Sequence, residues 1–162
     1  MQKEIDKQKL REFIARAGAA TYAGGGAREE NPERKGFVEL TYSEEDLGYR
    51  DSYTGFYRSR GMELVRQDGE PVWSSLYGGG MIEGKEELAN ETFTFLKNAM
   101  STDEDGFDSF RGPHELTDGD WKYTYTQEGD VKEFNGFEEI HYKGELVFFH
   151  RIIGGVIKGK DL

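Results

Sequence analysis

Cysteine is absent from the 162 residues, which excludes disulfides, thiolate metal sites and cysteine nucleophiles. Proline occurs three times and no low-complexity linker interrupts the chain, so residues 1–162 read as a single domain with one shared core. Basic residues are outnumbered, 21 against 32 acidic, leaving a net charge of −11. Such a surface repels phosphate backbones and anionic lipid, so no direct nucleic-acid partner and no membrane partner are expected. Long apolar runs are missing too. The charged start Met1–Asp6 does not read as a signal peptide, and the expected location is cytoplasmic. Asn90-Glu91-Thr92 matches a glycosylation acceptor but falls on a predicted helix, and reads as chance.

Catalytic signatures are also lacking. No serine sits in a nucleophile-elbow pattern. His114, His141 and His150 have no metal-ligand spacing, and Asp103-Glu104-Asp105-Gly106 lacks the spacing of a calcium loop. No metal and no cofactor are therefore expected, and the balance leans against an enzyme.

What is present is a repeat. Residues 61–82 reappear at 136–157 without a gap, with eight of 22 positions identical. Gly61-x-Glu63 matches Gly136-x-Glu138, Gly69-Glu70-x-Val72 matches Gly144-Glu145-x-Val147, and Gly79-Gly80-x-Ile82 matches Gly154-Gly155-x-Ile157. Upstream of each copy lies a helical stripe. Leu10, Phe13, Ile14 and Ala17 share one face of a helix predicted over 3–17, ending at Gly18. Leu88, Thr92, Phe95, Leu96 and Ala99 share one face of a second, over 85–100.

Strands are predicted over 37–42, 47–53, 56–57, 62–67 and 71–77, then 115–117, 121–126, 131–134, 137–142 and 145–153. Glu39-Leu40-Thr41 echoes Glu115-Leu116-Thr117, and Asp46-Leu47-x-Tyr49 echoes Asp120-Trp121-x-Tyr123. Asp68-Gly69 and Lys143-Gly144 suit two-residue hairpin turns. The expected class is α+β: two pseudo-repeats, about 3–82 and 85–157, each a helix followed by an antiparallel meander. The acidic segment 101–112 reads as a mobile loop.

Three groups of residues are candidates for a site. With two-residue turns, Val65 pairs with Val72 and Ile140 with Val147, and alternation puts Glu63 and Glu138 on the apolar faces of their strands. Two carboxylates so placed would face each other or a cavity, binding a cation or sharing a proton; a bulge that flips the parity would instead turn both to water. The same alternation puts His141 and His150 on the Glu139/Phe148 face. The glycine clusters around Gly25 and Gly79 would bring backbone close to a ligand, or else mark a helix exit and strand-end bulges. Among the aromatics, Tyr49, Tyr53, Trp73, Tyr77 and Tyr123 are candidates to line a pocket for an amphipathic or cationic ligand, while most of the rest are core.

Several segments together resemble a known family. They are Ala19–Gly26, Tyr49-x-Asp51-Ser52-Tyr53-x-Gly55, Gly69-x-Pro71-Val72-Trp73 with Tyr77-Gly78-Gly79, Arg111-Gly112-Pro113 with Gly119-Asp120-x-x-Tyr123, and Gly136-x-Glu138-x-Ile140 with Tyr142-x-Gly144-Glu145. Residues 8–157 resemble a bacterial domain-of-unknown-function family that occurs alone or behind helix-turn-helix domains of XRE-type regulators. The resemblance implies a bacterial, cytoplasmic setting and a sensory or regulatory role; it brings no activity and no catalytic residues. The leading expectation is a small-molecule or effector-binding module with its site between the repeats. An acidic immunity-like or inhibitor-like protein meeting a basic or regulatory protein partner is the alternative. An enzyme using Glu63 or Glu138 as acid or base stands third.

Overall fold

Tight turns set the framework. Asp68 (φ 50°) and Gly69 (φ 85°) link two strands, and Lys143 (φ 50°) and Gly144 (φ 79°) link two others. Both positive angles of each pair are those a two-residue hairpin turn requires. The structure is a computed structural model that describes residues 4–23 and 26–160. It contains eight strands: β1 (Val38–Glu44), β2 (Leu47–Thr54), β3 (Arg58–Gln67), β4 (Glu70–Met81), β5 (Glu115–Asp118), β6 (Trp121–Asp130), β7 (Glu133–Tyr142) and β8 (Glu145–Val156). They form one antiparallel sheet in the order β1-β2-β3-β4-β8-β7-β6-β5. The fold is α+β, with helices α1 (Lys7–Gly18) and α2 (Ala89–Met100).

Two strands anticipated from sequence change status. Phe56 and Tyr57 lie in the turn between β2 and β3, and 131–134 spans the turn into β7 and its first residues. Helix α1 begins later than expected, because the Asp6 side chain accepts from the Lys9 N–H and caps it there. Gly18 does not end the helical path. The chain continues as a π-helical turn over Ala19–Ala23, and the Thr21 hydroxyl donates to the Ala17 carbonyl at 2.7 Å.

Register repeats across the sheet. Along the central β4/β8 seam Trp73 pairs with Val156 and Met81 with Phe148, and the offset that carries Gly61 onto Gly136 exchanges the two pairs. Tyr77 pairs with Ile152, which the same offset makes its counterpart, at the middle of the seam. A β-bulge falls between Val65 and Arg66 in β3 and between Ile140 and His141 in β7. The bulges correct the expected pairings: Val65 faces Trp73 and Ile140 faces Phe148. The extra residue shifts the partner strand by one on the turn side, while Glu63 stays on the Val65 face. At the sheet edges, Thr41 and Glu115 occupy corresponding places, so the echo of Glu39 with Glu115 is two residues out of step. That of Tyr49 with Tyr123 holds.

The core lies on one sheet face, beneath α1 and α2. Leu10, Phe13, Ile14 and Ala17 of α1 and Phe95, Leu96 and Ala99 of α2 join Val65, Trp73, Ile140 and Phe148 there. Each large apolar side chain buried in it contributes about 1.5–3 kcal/mol. The opposite face is more open, and Leu76 and Ile153, paired across the seam, are about half exposed. Segment 101–112, expected to be mobile, packs against its surroundings. Phe107 stacks on the His114 ring at 3.7 Å and Phe110 on Phe134 at 4.3 Å.

Candidate functional site

Alternation brings polar side chains onto the core face of the four central strands and β2. Asp51 pairs with Glu63, Glu63 with Ser75, Gly79 with His150, and His150 with Glu138, so all of them share that face. Asp51, Glu63 and His150, together with α1, α2 and 101–112, border a cavity of about 1000 Å³. Tyr22, Tyr49, Tyr53, Asp51, Glu63 and Tyr77 line it, as do Arg111 and His150, both beside the Tyr77 ring.

Each half-sheet carries one glutamate ringed by donors. Glu63 accepts from the Tyr49 hydroxyl at 2.7 Å and the Ser75 hydroxyl at 2.9 Å. Glu138, the residue that matches Glu63 in the second half-sheet, accepts from the Tyr123 hydroxyl at 2.7 Å and lies 3.0 Å from His150 Nδ1. It also takes Arg111, whose Nε lies 3.2 Å from both carboxylate oxygens and whose Nη2 lies 2.5 Å from Oε1. Glu138 is fully buried and Arg111 nearly so. Burial alone would raise the Glu138 carboxyl, but Arg111 and His150 outweigh it and hold it at about 2. A carboxylate so held stays ionised at neutral pH, which removes Glu138 from acid–base work there.

Asp51 is the opposite case. It is 5% exposed, and Tyr77 donates to its Oδ1 at 2.6 Å. Burial and the neighbouring Glu63 push its carboxyl up to about 7, against the Tyr77 hydrogen bond and the Arg111 charge. Burial also drives Tyr22 up to about 12 and keeps Tyr49 and Tyr77 well above the phenol value, so all three act as neutral hydroxyls. His150 is lowered by burial, against the pull of Glu138, and is neutral at pH 7. The shorter contact to the carboxylate assigns its proton to Nδ1, leaving Nε2 facing Ser59 Oγ at 3.4 Å.

The structure sorts the anticipated residues. Tyr49, Tyr53, Glu63 and Tyr77 line the cavity. Glu138 and Tyr123 lie behind it in the Arg111 network. Trp73 is core: it is fully buried, donates Nε1–H to the Val131 carbonyl at 3.0 Å and stacks against Phe134. Gly25 lies outside the described residues. Gly79 is inside β4 rather than in a strand-end bulge, as are its neighbours Gly78 and Gly80. It stands between Ser59 and His150 on adjacent strands, and without a side chain it lets them approach each other. Its φ of 146° disfavours any other residue, and a Cβ would meet the Phe149 carbonyl oxygen at 2.1 Å. Gly79→Ala is therefore expected to cost at least about 2 kcal/mol, measured by urea unfolding; a loss below about 0.5 kcal/mol would contradict the close packing.

His150 is a correction. It shares the Glu138 face, because the bulge moves Phe148, not Val147, opposite Ile140. Asp51 and Arg111 were not singled out, although Asp51 alternates with Tyr49 and Tyr53, a signal legible on β2. Among the described residues no cluster of three or more His, Asp and Glu side chains is arranged to hold a metal ion, and no helix is long and apolar enough to cross a membrane.

No curated protein and no solved structure matches the chain. One family model does, over residues 51–157, which takes in β2 from Asp51 onward, β3 to β8, and Asp51, Glu63, Arg111, Glu138 and His150, but not Tyr49. The chain belongs to the family described as Domain of unknown function (DUF5680).

Proposed function

We propose that the chain is a non-enzymatic small-molecule-binding module, sensory or regulatory in role, with its site on the seam between two repeated halves. The observation that carries this reading is the cavity of about 1000 Å³, where buried polar side chains from both half-sheets converge beneath aromatic walls. Matching registers and bulges in the two half-sheets support the view that the halves are duplicates of one helix-plus-meander unit. Such a duplication leaves a cleft at its junction. A bacterial, cytoplasmic setting beside transcriptional regulators fits a sensor of this kind. The interaction-protein alternative draws on the acidic charge alone.

Thermal-shift screening of metabolites tests the proposal, since a ligand selective for the folded chain raises Tm by mass action. Saturation at a hundredfold over Kd adds about 2.7 kcal/mol. Hits should lose their effect in Tyr77→Phe or Glu63→Gln. A broad screen without a single hit would sink the binding reading.

One observation favours a second reading, acyl transfer: Ser59, His150 and Glu138 stand in the order nucleophile, base and orienting carboxylate. It predicts hydrolysis of p-nitrophenyl acetate above background that Ser59→Ala abolishes. Equal rates for both proteins dismiss it.

A further inference from the structure

We infer that the ligand is an organic cation, a protonated amine on an apolar body, whose charge sits against Asp51 and Glu63. The inference rests on the binding reading above and gives it a chemical class.

The two half-sheets differ in one respect. In the second, the buried glutamate has a guanidinium of its own chain, since Arg111 donates to Glu138. In the first, Glu63 is served only by neutral donors, Tyr49 and Ser75. Asp51, directly across from Glu63, adds a second carboxylate. Among the described residues neither forms an ion pair with Lys or Arg. Three carboxylates therefore share one guanidinium, and the two that form no ion pair, Asp51 and Glu63, both border the cavity.

Asp51 strengthens the point independently. Its side chain is about nineteen-twentieths buried yet borders the cavity, and only Oδ1 carries a hydrogen bond. Oδ2 has no donor among the described residues. Arg111 acts on Asp51 without pairing with it, and a largely buried carboxylate without a direct ion pair is costly; a bound ammonium would remove that cost in the place Arg111 fills in the other half.

The occupant is organic rather than a metal ion. A divalent metal takes six or more oxygen ligands or a close cluster of ligating side chains, and among the described residues no third carboxylate or histidine joins the pair. The walls also carry aromatic side chains, among them Tyr22, Tyr53, Phe56, Tyr77 and Phe93. Ring faces attract a cation and cover the apolar body attached to it. The basic residues at the rim do not fill the place. Arg11 is paired with Asp108, and Arg28 and Lys97 are exposed.

Titration calorimetry at pH 8 with phenethylamine, hexylamine and spermidine tests the class against 2-phenylethanol, 1-hexanol and phenylacetate. At least one amine is expected to bind one-to-one, with the matching alcohol and the carboxylate at least tenfold weaker. Asp51→Asn should weaken the amine at least tenfold while still unfolding in one cooperative transition. Glu63→Gln is the second variant, so a folding defect in either leaves the test intact. Three results would overturn the inference: silence from all amines, equal binding of the alcohols or phenylacetate, or unchanged amine affinity in both variants. If neutral or anionic compounds bind instead, the binding reading survives and the cationic class falls. Silence across the broad metabolite screen removes both.

Discussion

Arg111→Met is expected to lower the unfolding free energy by about 3–5 kcal/mol at pH 7, the usual cost of removing one partner of a buried ion pair. Methionine fills most of the volume, so the loss is electrostatic. It leaves the Glu138 carboxylate buried with only Tyr123 and His150 to face it. Adding Glu138→Gln should recover a large part of the loss, because a neutral amide still accepts from Tyr123 and carries no charge to strand. The double-mutant cycle thus separates an ion-pair role from simple packing. The acid limb supplies a further signature. In the parent protein the folded Glu138 carboxyl, at about 2, lies below its unfolded value near 4.3. Its stabilisation is complete above that unfolded value and lost as pH falls toward 2. Without Arg111 burial raises the carboxyl instead, so acidification should relieve the defect rather than deepen it. A single variant within about 1 kcal/mol of the parent would contradict the assignment.

Asp51→Asn is expected to act in the opposite direction and stabilise the protein at pH 8 by roughly 2–4 kcal/mol. The folded carboxyl is raised to about 7 from an unfolded value near 3.9. The folded state therefore holds the extra proton between about pH 4 and pH 7. Stability contributed at Asp51 declines through that window and stays low above it. Asparagine keeps the acceptor for Tyr77 and removes the titration. His150, lowered by burial, has the opposite slope below its unfolded value near 6.5. Only the difference between the two proteins isolates Asp51, because His150 is common to both. Urea unfolding at pH 4.5 and pH 8 is the measurement. Variants of equal stability at both pH values would show that Asp51 carries no such cost. A carboxylate retained at a cost to stability is the usual mark of a residue kept for function, and the amine titration checks that function directly.

Much of the site was legible locally. Glu63 and Glu138 stood out because the repeated segment places one carboxylate on the same strand face of each half, and Tyr49, Tyr53 and Tyr77 follow by alternation. The Arg111 contact was not legible. A single arginine at the end of an acidic run gives no hint that it turns inward, and its partner lies 27 residues away on β7. Trp73 stands in aromatic company in the sequence, yet its indole N–H is satisfied by the Val131 carbonyl and it is core. His150 was assigned to the wrong face by one residue of register, because the turn residues specify the hairpin but not the bulge beside it.

Local sequence was enough for the α+β class, the two helices, the hairpin turns and the faces of Glu63 and Glu138. These depend on periodicity and turn chemistry within a few contiguous residues. Which carboxylate is neutralised, and which is left facing the cavity, emerges only once the chain is folded. That outcome turns on burial and on a guanidinium brought from a distant loop, and the strength of a charge depends on the surroundings the whole fold supplies.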